Sequence, residues 1–385
     1  MHKINGPGAT AGNEWTEGDP SLAIPRTTAT AAWYNSVQRE LIALVEAAGL
    51  SPSTVDDDQV LEAIRFLSGG SGKRNKLLNG DFALEQRQGI QLAPDGYGPD
   101  RWYGNRGDSA ATPLLSRASL GFGITLPTGN PSHEGLWNQL AGAGTTSTAG
   151  YMEQRIEGVH TLHSTSAVRL SYWGKVDSGT LSVTPKLVQH FDGGSSDVVL
   201  AGTPDTWTTT YQRFTHTFNV PTIDGKTIGG PDHRLAVRIE WPHVATFLAR
   251  FTDVQLEQGD VASAFERLTV QEQYLACSRY YQQSMALDFD GPYPALEGQR
   301  VAAGSNLIDL SGLQARLFPM RVIPTVQWIN PTDGTLDEVE WNAVGRTVSG
   351  NNNPGVQSTG YPTTTASPSG VALASAHFTA DAEIY

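Results

Sequence analysis

Between residues 77 and 267, separate segments carry apolar side chains at every second position, and this pattern constrains the fold most. In "RLAVRIEWP", Leu235, Val237, Ile239 and Trp241 alternate with Ala236, Arg238 and Glu240. In "QRFTHTFNVP", Phe214, Phe218 and Val220 alternate with Arg213, Thr215, Thr217 and Asn219. Phe247, Ala249 and Phe251 share one face of "TFLARFTDVQLEQG", and "VRLSYWGKV" and "LSVTPKLVQHF" read the same way. Successive side chains of a strand point to opposite faces, so each segment offers one apolar and one polar face. Turn residues separate the segments, and no strand–helix alternation runs through the chain. Residues 77–267 are therefore expected to form an antiparallel β-sandwich rather than a parallel α/β sheet. The 41 glycines and 22 prolines suit many turns between short strands.

The flanks follow other rules. "TATAAWYNSVQRELIALVEAAG" places Trp33, Val37, Leu41, Leu44, Val45 and Ala48 on one helical stripe, with Thr30 as N-cap and Gly49 as stop. "SPSTVDDDQVLEAIRFLSGG" repeats the plan, with Asp56, Asp57 and Asp58 near the positive helix start and Val60, Leu61, Ile64 and Leu67 forming the apolar face. Two short amphipathic helices bury little by themselves, so residues 1–70 should dock on another chain or on copies of themselves. The glycine-rich segment "SGGSGKRNK" reads as a linker, placed at 71–76. After the sandwich, Thr269 and Glu272 form a capping box. Val270, Tyr274, Cys277 and Tyr281 then follow at helical spacing, which predicts a connecting helix over 268–285 with an oligomer seam. Residues 286–385 return to β character, with "GNNNPG" and "YPTTTASPSG" as loops.

Four stretches, in this order, resemble bacteriophage tail fibre and tail receptor-binding proteins. "TATAAWYNSVQRELIALVEAAGL" resembles their N-terminal attachment segment, with one residue inserted between Trp33 and Asn35. "NKLLNGDFALEQRQG" with the later "PDRWYG" resembles the opening of a carbohydrate-binding-like jelly roll. "DVQLEQGDVASAFERLTVQEQYLACSRYYQ" resembles the junction that closes it, and "LFPMRVIPTVQW" resembles a segment of the following β domain. The resemblance implies adhesion, self-association as a homotrimer, and docking of the N-terminus to the phage baseplate through Trp33, Val37, Leu41 and Leu44.

A net charge of -13 argues against nucleic acid, whose phosphates need a basic face, and against an anionic membrane surface. No apolar run is long enough to span a bilayer, and the first residues lack the apolar core of a secretory signal. The single cysteine excludes an intrachain disulfide and a cysteine-based zinc cluster. Trp102 and Tyr103, beside Asp100 and Arg101, suit sugar recognition, because sugar rings stack on aromatic faces while polar neighbours read hydroxyls. Trp137 and Asn138 offer a second such group. Trp173 and Trp241, on alternating strands, read as core packing.

Asp288, Asp290 and Glu297 could pair as glycosidase carboxylates, which stand roughly 5–10 Å apart, but an acidic loop is the better reading. Asn79, Asp81 and Glu257 could supply oxygen ligands to a structural calcium. His160 and His163 lie in a strand or loop context and read as ordinary histidines. Phosphate-binding and nucleophile-elbow glycine motifs are absent. Cys277 beside Arg279 resembles an activated thiol in isolation, but its seam position predicts burial, which makes a thiol inert.

The expectation is a mainly β adhesion protein of a phage tail tip, without enzymatic activity, cofactor or metal. Its receptor would be a bacterial surface glycan or a pilus or other protein, contacted through 286–385. The alternatives are a polysaccharide-degrading tailspike and a purely structural tail protein.

Overall fold

A computed structural model describes residues 3–47, 51–54, 56–67, 74–87, 95–105, 114–119, 133–139, 149–162, 167–242, 246–259, 262–284, 299–303, 317–341, 344–352, 354–364 and 372–385. The chain divides into two compact units, Met1–Arg74 and Asn75–Tyr385.

The first unit contains α1 (Ala31–Ala47) and α2 (Gln59–Leu67). Thr30 Oγ1 accepts from the Trp33 amide at 3.3 Å, the N-cap contact expected from sequence. The helices meet through Val45 and Ala63, flanked by Leu44 and Val60. The expected faces are shared out differently. Leu41 on α1 and Leu61 and Ile64 on α2 remain exposed, because a two-helix pair has one contact line and cannot cover a wider stripe. Trp33 packs edge-on against Trp15 at 5.4 Å, and Val37 is half-buried.

The second unit is built from strands. In chain order they are β1 (Gly96–Tyr97), β2 (Trp102–Asn105), β3 (Leu114–Ser119), β4 (His133–Gln139), β5 (Gly150–Glu157), β6 (Ala167–Val176), β7 (Leu181–His190), β8 (Val198–Ala201), β9 (Asp205–Trp207), β10 (Gln212–Asn219), β11 (Arg234–Trp241) and β12 (Phe247–Gln258). Among the described residues they form two antiparallel sheets, β1-β2-β5-β11-β7-β8 with β9 beside β7, and β10-β6-β12-β4-β3. The chain crosses repeatedly from one sheet to the other, as in a jelly roll. Leu235, Val237, Ile239 and Trp241 all face the core between the sheets, as alternation requires. Each such burial contributes about 2 kcal/mol. Trp173 differs: it is buried but stands outside that core cluster, on the opposite side of β6 from Tyr172.

β12 changes register between Thr252 and Gln255, and Asp253 there has φ +52°. The irregularity returns Val254 and Leu256 to the core face. It also brings the β12 backbone against the turn at Asn79–Phe82. A Cβ on Gly80 would lie 2.2 Å from the Val254 carbonyl oxygen, so this close approach requires glycine.

Beyond the sandwich, α3 (Val270–Cys277) starts at the capping box: Thr269 Oγ1 accepts from the Glu272 amide, and Glu272 accepts from the Thr269 amide. The helix is shorter than the 268–285 expected from sequence. It ends at Cys277, and Tyr281 begins β13 (Tyr281–Gln283). The continuous seam is therefore not formed. Cys277 is 1% exposed and Tyr281 is buried, but Val270 is 53% exposed and Tyr274 half-buried. The physical reason is that Tyr281, Gln282 and Gln283 pair with the C-terminal strand, which competes with another helical turn.

The remaining strands are β14 (Gln299–Ala303), β15 (Thr325–Ile329), β16 (Glu338–Trp341), β17 (Val344–Asn352), β18 (Tyr361–Thr364) and β19 (Ala372–Asp381). β19 pairs with β13, β14, β15 and β16. Of "GNNNPG", expected as a loop, Gly350, Asn351 and Asn352 instead extend β17 and pair with β18, and beyond them Gly355 and Ser358 close a bridge. This third sheet belongs to the same compact unit as the sandwich.

Candidate carbohydrate-binding face

The residues grouped by sequence around Trp102 separate into two environments. Trp102 is 0% exposed and stacks on Phe82 at 5.0 Å, and its Nε1 donates to the Asn79 carbonyl at 2.9 Å. It is a core residue, and no sugar can reach its ring. Asp100 and Arg101 are buried as well. Asp100 accepts from the Gln86 amide at 2.8 Å, and burial pushes its carboxyl above the ordinary aspartate range despite Arg87 nearby. Arg101 pairs with Glu383 and lies 3.4 Å from the centre of the Tyr280 ring.

These contacts form a joint between the sandwich and the chain's C-terminal residues. Arg87 lies 3.8 Å above Tyr281 and pairs with Asp381 and Glu383 at 3.2 and 3.3 Å. Tyr97 and Arg155 both donate to the Ile384 carbonyl, at 2.6 and 2.7 Å. Arg321 spans the same seam, pairing with Asp232 at 2.9 Å and donating to the Glu383 carbonyl at 2.8 Å. Buried charges of this kind need partners on every side. Asp100 and Arg101 are thus structural, as are Tyr280 and Tyr281 of the cysteine-bearing segment.

Tyr103 points away from Trp102, onto the face where it packs edge-on against Tyr97 of the joint, with ring centres 5.4 Å apart. It lies on the outer face of the larger sheet, in a row of directly paired residues: Tyr103 on β2, Glu153 on β5, Arg238 on β11 and Lys186 on β7. The next row on that face is Asn105, Tyr151, Glu240 and Thr184. All of these except Glu153 are half-buried. Arg155 lies 3.8 Å from the centre of the Tyr103 ring, and Arg238 lies 3.8 Å from that of Tyr151. Glu153 holds both arginines: Oε1 accepts from Arg155 at 2.7 Å, and Oε2 from Arg238 at 2.7 and 2.9 Å. Burial alone would raise the Glu153 carboxyl, but the two guanidiniums hold it below the usual glutamate range. Lys186 and Glu240 pair at 2.6 Å.

The result is a flat grid with two tyrosine rings fixed by arginine stacking, next to an ammonium donor and a carboxylate acceptor. Fixed aromatic faces beside charged hydrogen-bonding groups can stack a sugar ring and read its hydroxyls. Sequence reasoning named Tyr103 but missed Tyr151, Arg238, Lys186 and Glu240. The signal was available in "GYMEQRIE", where Tyr151, Glu153 and Arg155 alternate with buried Met152 and Gln154.

The other expectations are resolved residue by residue. Trp137 lies in β4 with its backbone opposite Leu115 and Ala249, and Asn138 opposite Leu114 and Leu248. Asn79 and Glu257 spend their oxygens internally: Asn79 Oδ1 accepts from the Leu84 amide, and Glu257 accepts from Gln255 and Ser263. Asp81 faces Arg267 at 3.8 Å. Among the described residues no cluster of three metal-ligating side chains occurs. His160 packs near His233, with ring centres 5.6 Å apart. Asp288, Asp290, Glu297 and His163 lie outside the described residues.

No protein-family model matches the chain, and no curated protein sequence matches it. Solved structures overlap part of it. The CBM22-1 xylan-binding domain from Paenibacillus barcinonensis Xyn10C superposes with TM-score 0.29 at 10% identity, over 43% of this chain and 90% of that one. The enzymatically active domain of bacteriophage CBA120 tailspike protein 4 does so with TM-score 0.32 at 13% identity, over 48% of this chain and 21% of that one. The N-terminal cellulose-binding domain from Cellulomonas fimi β-1,4-glucanase C gives TM-score 0.29 at 12% identity, over 44% and 95%.

Proposed function

We propose that this chain is a phage tail receptor-binding protein that adheres to a bacterial surface glycan through the sandwich, without turning it over. The observation that carries the glycan part is the grid, where Tyr103 and Tyr151 are each fixed by an arginine within 3.8 Å and left half-exposed. Receptor contact is placed here rather than on 286–385, because the grid combines aromatic faces with paired polar groups. Binding without turnover is favoured because Glu153 spends both oxygens on arginines, and Glu240 is paired with Lys186. A general acid would need a carboxyl with a raised pKa instead.

The tail-tip role rests on the family resemblance, and the exposed Tyr34, Leu41, Leu61 and Ile64 of the first unit suit docking to a baseplate protein. Exposed Val270 and Leu275 on α3 likewise suit a homotrimer contact. In this reading the protein works in the virion, at the tail tip.

The test is binding of purified protein to host surface polysaccharide by isothermal titration. Tyr103→Ala and Tyr151→Ala should each weaken binding at least tenfold while the melting temperature changes little. Unchanged affinity in both variants would remove the grid as the glycan site.

A further inference from the structure

The four edges of the sandwich are protected to different degrees. Among the described residues the larger sheet ends in β1, of two residues, and β8, of four, while the smaller sheet ends in β3, of six, and β10, of eight. A free edge offers unpaired amide and carbonyl groups to any extended chain, so edges are ordinarily kept short or interrupted by lysine, proline or a bulge. β10 uses none of these devices. "QRFTHTFN" contains no proline or lysine. Its register against β6 runs unbroken from Gln212 opposite Gly174 to Asn219 opposite Ala167. Asp205 of β9 meets β10 through the His216 side chain at 2.8 Å. Among the described residues, no hydrogen bond from outside β6 reaches the β10 backbone. Thr215, Thr217 and Asn219 are exposed.

The sequence of this edge fits itself. Phe214, Thr215, His216, Thr217 and Phe218 read the same in both directions about His216. A contact between identical chains across a two-fold axis needs such self-complementarity, because one patch must match its own copy. In an antiparallel pair with the axis at His216, Phe214 faces the partner's Phe218 and Thr215 faces the partner's Thr217. Opposed aromatic pairs and Thr–Thr pairs stabilise antiparallel sheets, whereas opposed like charges do not. Arg213, the one arginine of β10, faces the partner's Asn219 rather than its own copy.

We propose that β10 is a self-association edge, to which a second copy of this chain adds its own β10 in antiparallel register, joining the two smaller sheets into one. A single strand pair is smaller than the roughly 1,200–2,000 Å² of a standard stable interface, so the contact should be reversible and follow protein concentration. It is separate from α3 and does not depend on what the grid binds.

Sedimentation velocity of the full chain over a concentration series reads the contact as a reversible doubling of mass. Amide hydrogen exchange over 212–219 should slow in the doubled species. Thr215→Lys with Thr217→Lys sets ammonium against ammonium across the axis and should weaken the doubling at least tenfold. Thr215→Lys with Thr217→Glu sets ammonium against carboxylate and should keep it within threefold of wild type. Both pairs disturb the bonds from Arg169 to Thr215 and Thr217, so Asn219 supplies a second measure. Asn219→Asp, facing the partner's Arg213, should tighten the doubling, and Asn219→Lys should weaken it at least threefold. Melting temperatures establish that each variant is folded.

A chain whose mass doubles at no concentration would overturn the proposal. So would doubling without slowed exchange over 212–219, or variants at Thr215, Thr217 and Asn219 that act alike whatever the sign of the charge they introduce.

Discussion

The joint and the grid use the same chemistry to opposite ends. In the joint, Arg101 stacks on Tyr280 and Arg87 on Tyr281, at 3.4 and 3.8 Å. In the grid, Arg155 stacks on Tyr103 and Arg238 on Tyr151, both at 3.8 Å. The difference lies in what closes over them. The joint receives Asp381, Glu383 and the Ile384 carbonyl from the end of the chain, so its arginines are sealed. Arg155 belongs to both regions, because it also donates to the Ile384 carbonyl and is as buried as Arg87, but the grid tyrosines stay half-open. An arginine over a tyrosine is thus no sign of a binding site until the surrounding burial is known.

The largest expected effect separates the two regions. Arg101→Ala would leave Glu383 buried without its main partner, which costs about 3–5 kcal/mol. Arg238→Ala leaves Glu153 still held by Arg155 and should cost about 1 kcal/mol, in the range of a partly exposed pair. Urea unfolding of both variants measures this. Equal losses would mean that the grid is as structural as the joint.

Acid sharpens the contrast, because the two regions carry carboxyls shifted in opposite directions. Burial raises Asp100 above its unfolded value, so the native state binds more protons, and stability falls as pH rises through that window. Glu153 is held below its unfolded value by Arg155 and Arg238, so its contribution is present above that value and is lost as pH falls through the native one. Asp100→Asn should therefore flatten the loss of stability on raising the pH above the ordinary aspartate value. Glu153→Gln should flatten the loss on acidification below the ordinary glutamate value. Melting temperatures from about pH 3 to about pH 7 would check both, since unperturbed side-chain carboxyls titrate near about 4. The same slope change in the two variants would dissolve the distinction.

The sandwich was legible because alternation is local: Leu235, Val237, Ile239 and Trp241 announce a buried face without knowledge of any partner strand. The joint was not legible, because Arg101 and Glu383 are 282 residues apart, and nothing near either one reveals the other. Trp102 illustrates the trap. Beside Asp100, Arg101 and Tyr103 it looks like a sugar platform, but alternation on β2 sends Trp102 inward and Tyr103 outward. Applied to that four-residue strand, the period-2 rule would have separated them. The seam over Val270, Tyr274, Cys277 and Tyr281 failed for a related reason. Its spacing is helical, but pairing of Tyr281 with Asp381 in β19 decides the conformation, and that partner is distant in sequence.

The smallest expected effect asks whether the two regions communicate. Thr269 and Glu272 cap α3, which ends at Cys277, three residues before Tyr280 enters the joint. Thr269→Ala removes both hydrogen bonds of the cap hydroxyl, from the Glu272 amide and to the Glu272 carboxylate, and should cost about 1 kcal/mol. A short helix depends on its ends, because each turn left unsatisfied is a large share of it. The loss should therefore appear in thermal melting of the second unit. Glycan affinity at Tyr103 and Tyr151 should stay within twofold of wild type, because β2, β5, β11 and β7 hold the grid through their own ladder. If affinity falls with stability instead, the joint sets the position of Arg155 over Tyr103. The two regions would then be one mechanical unit rather than a lock beside a binding face.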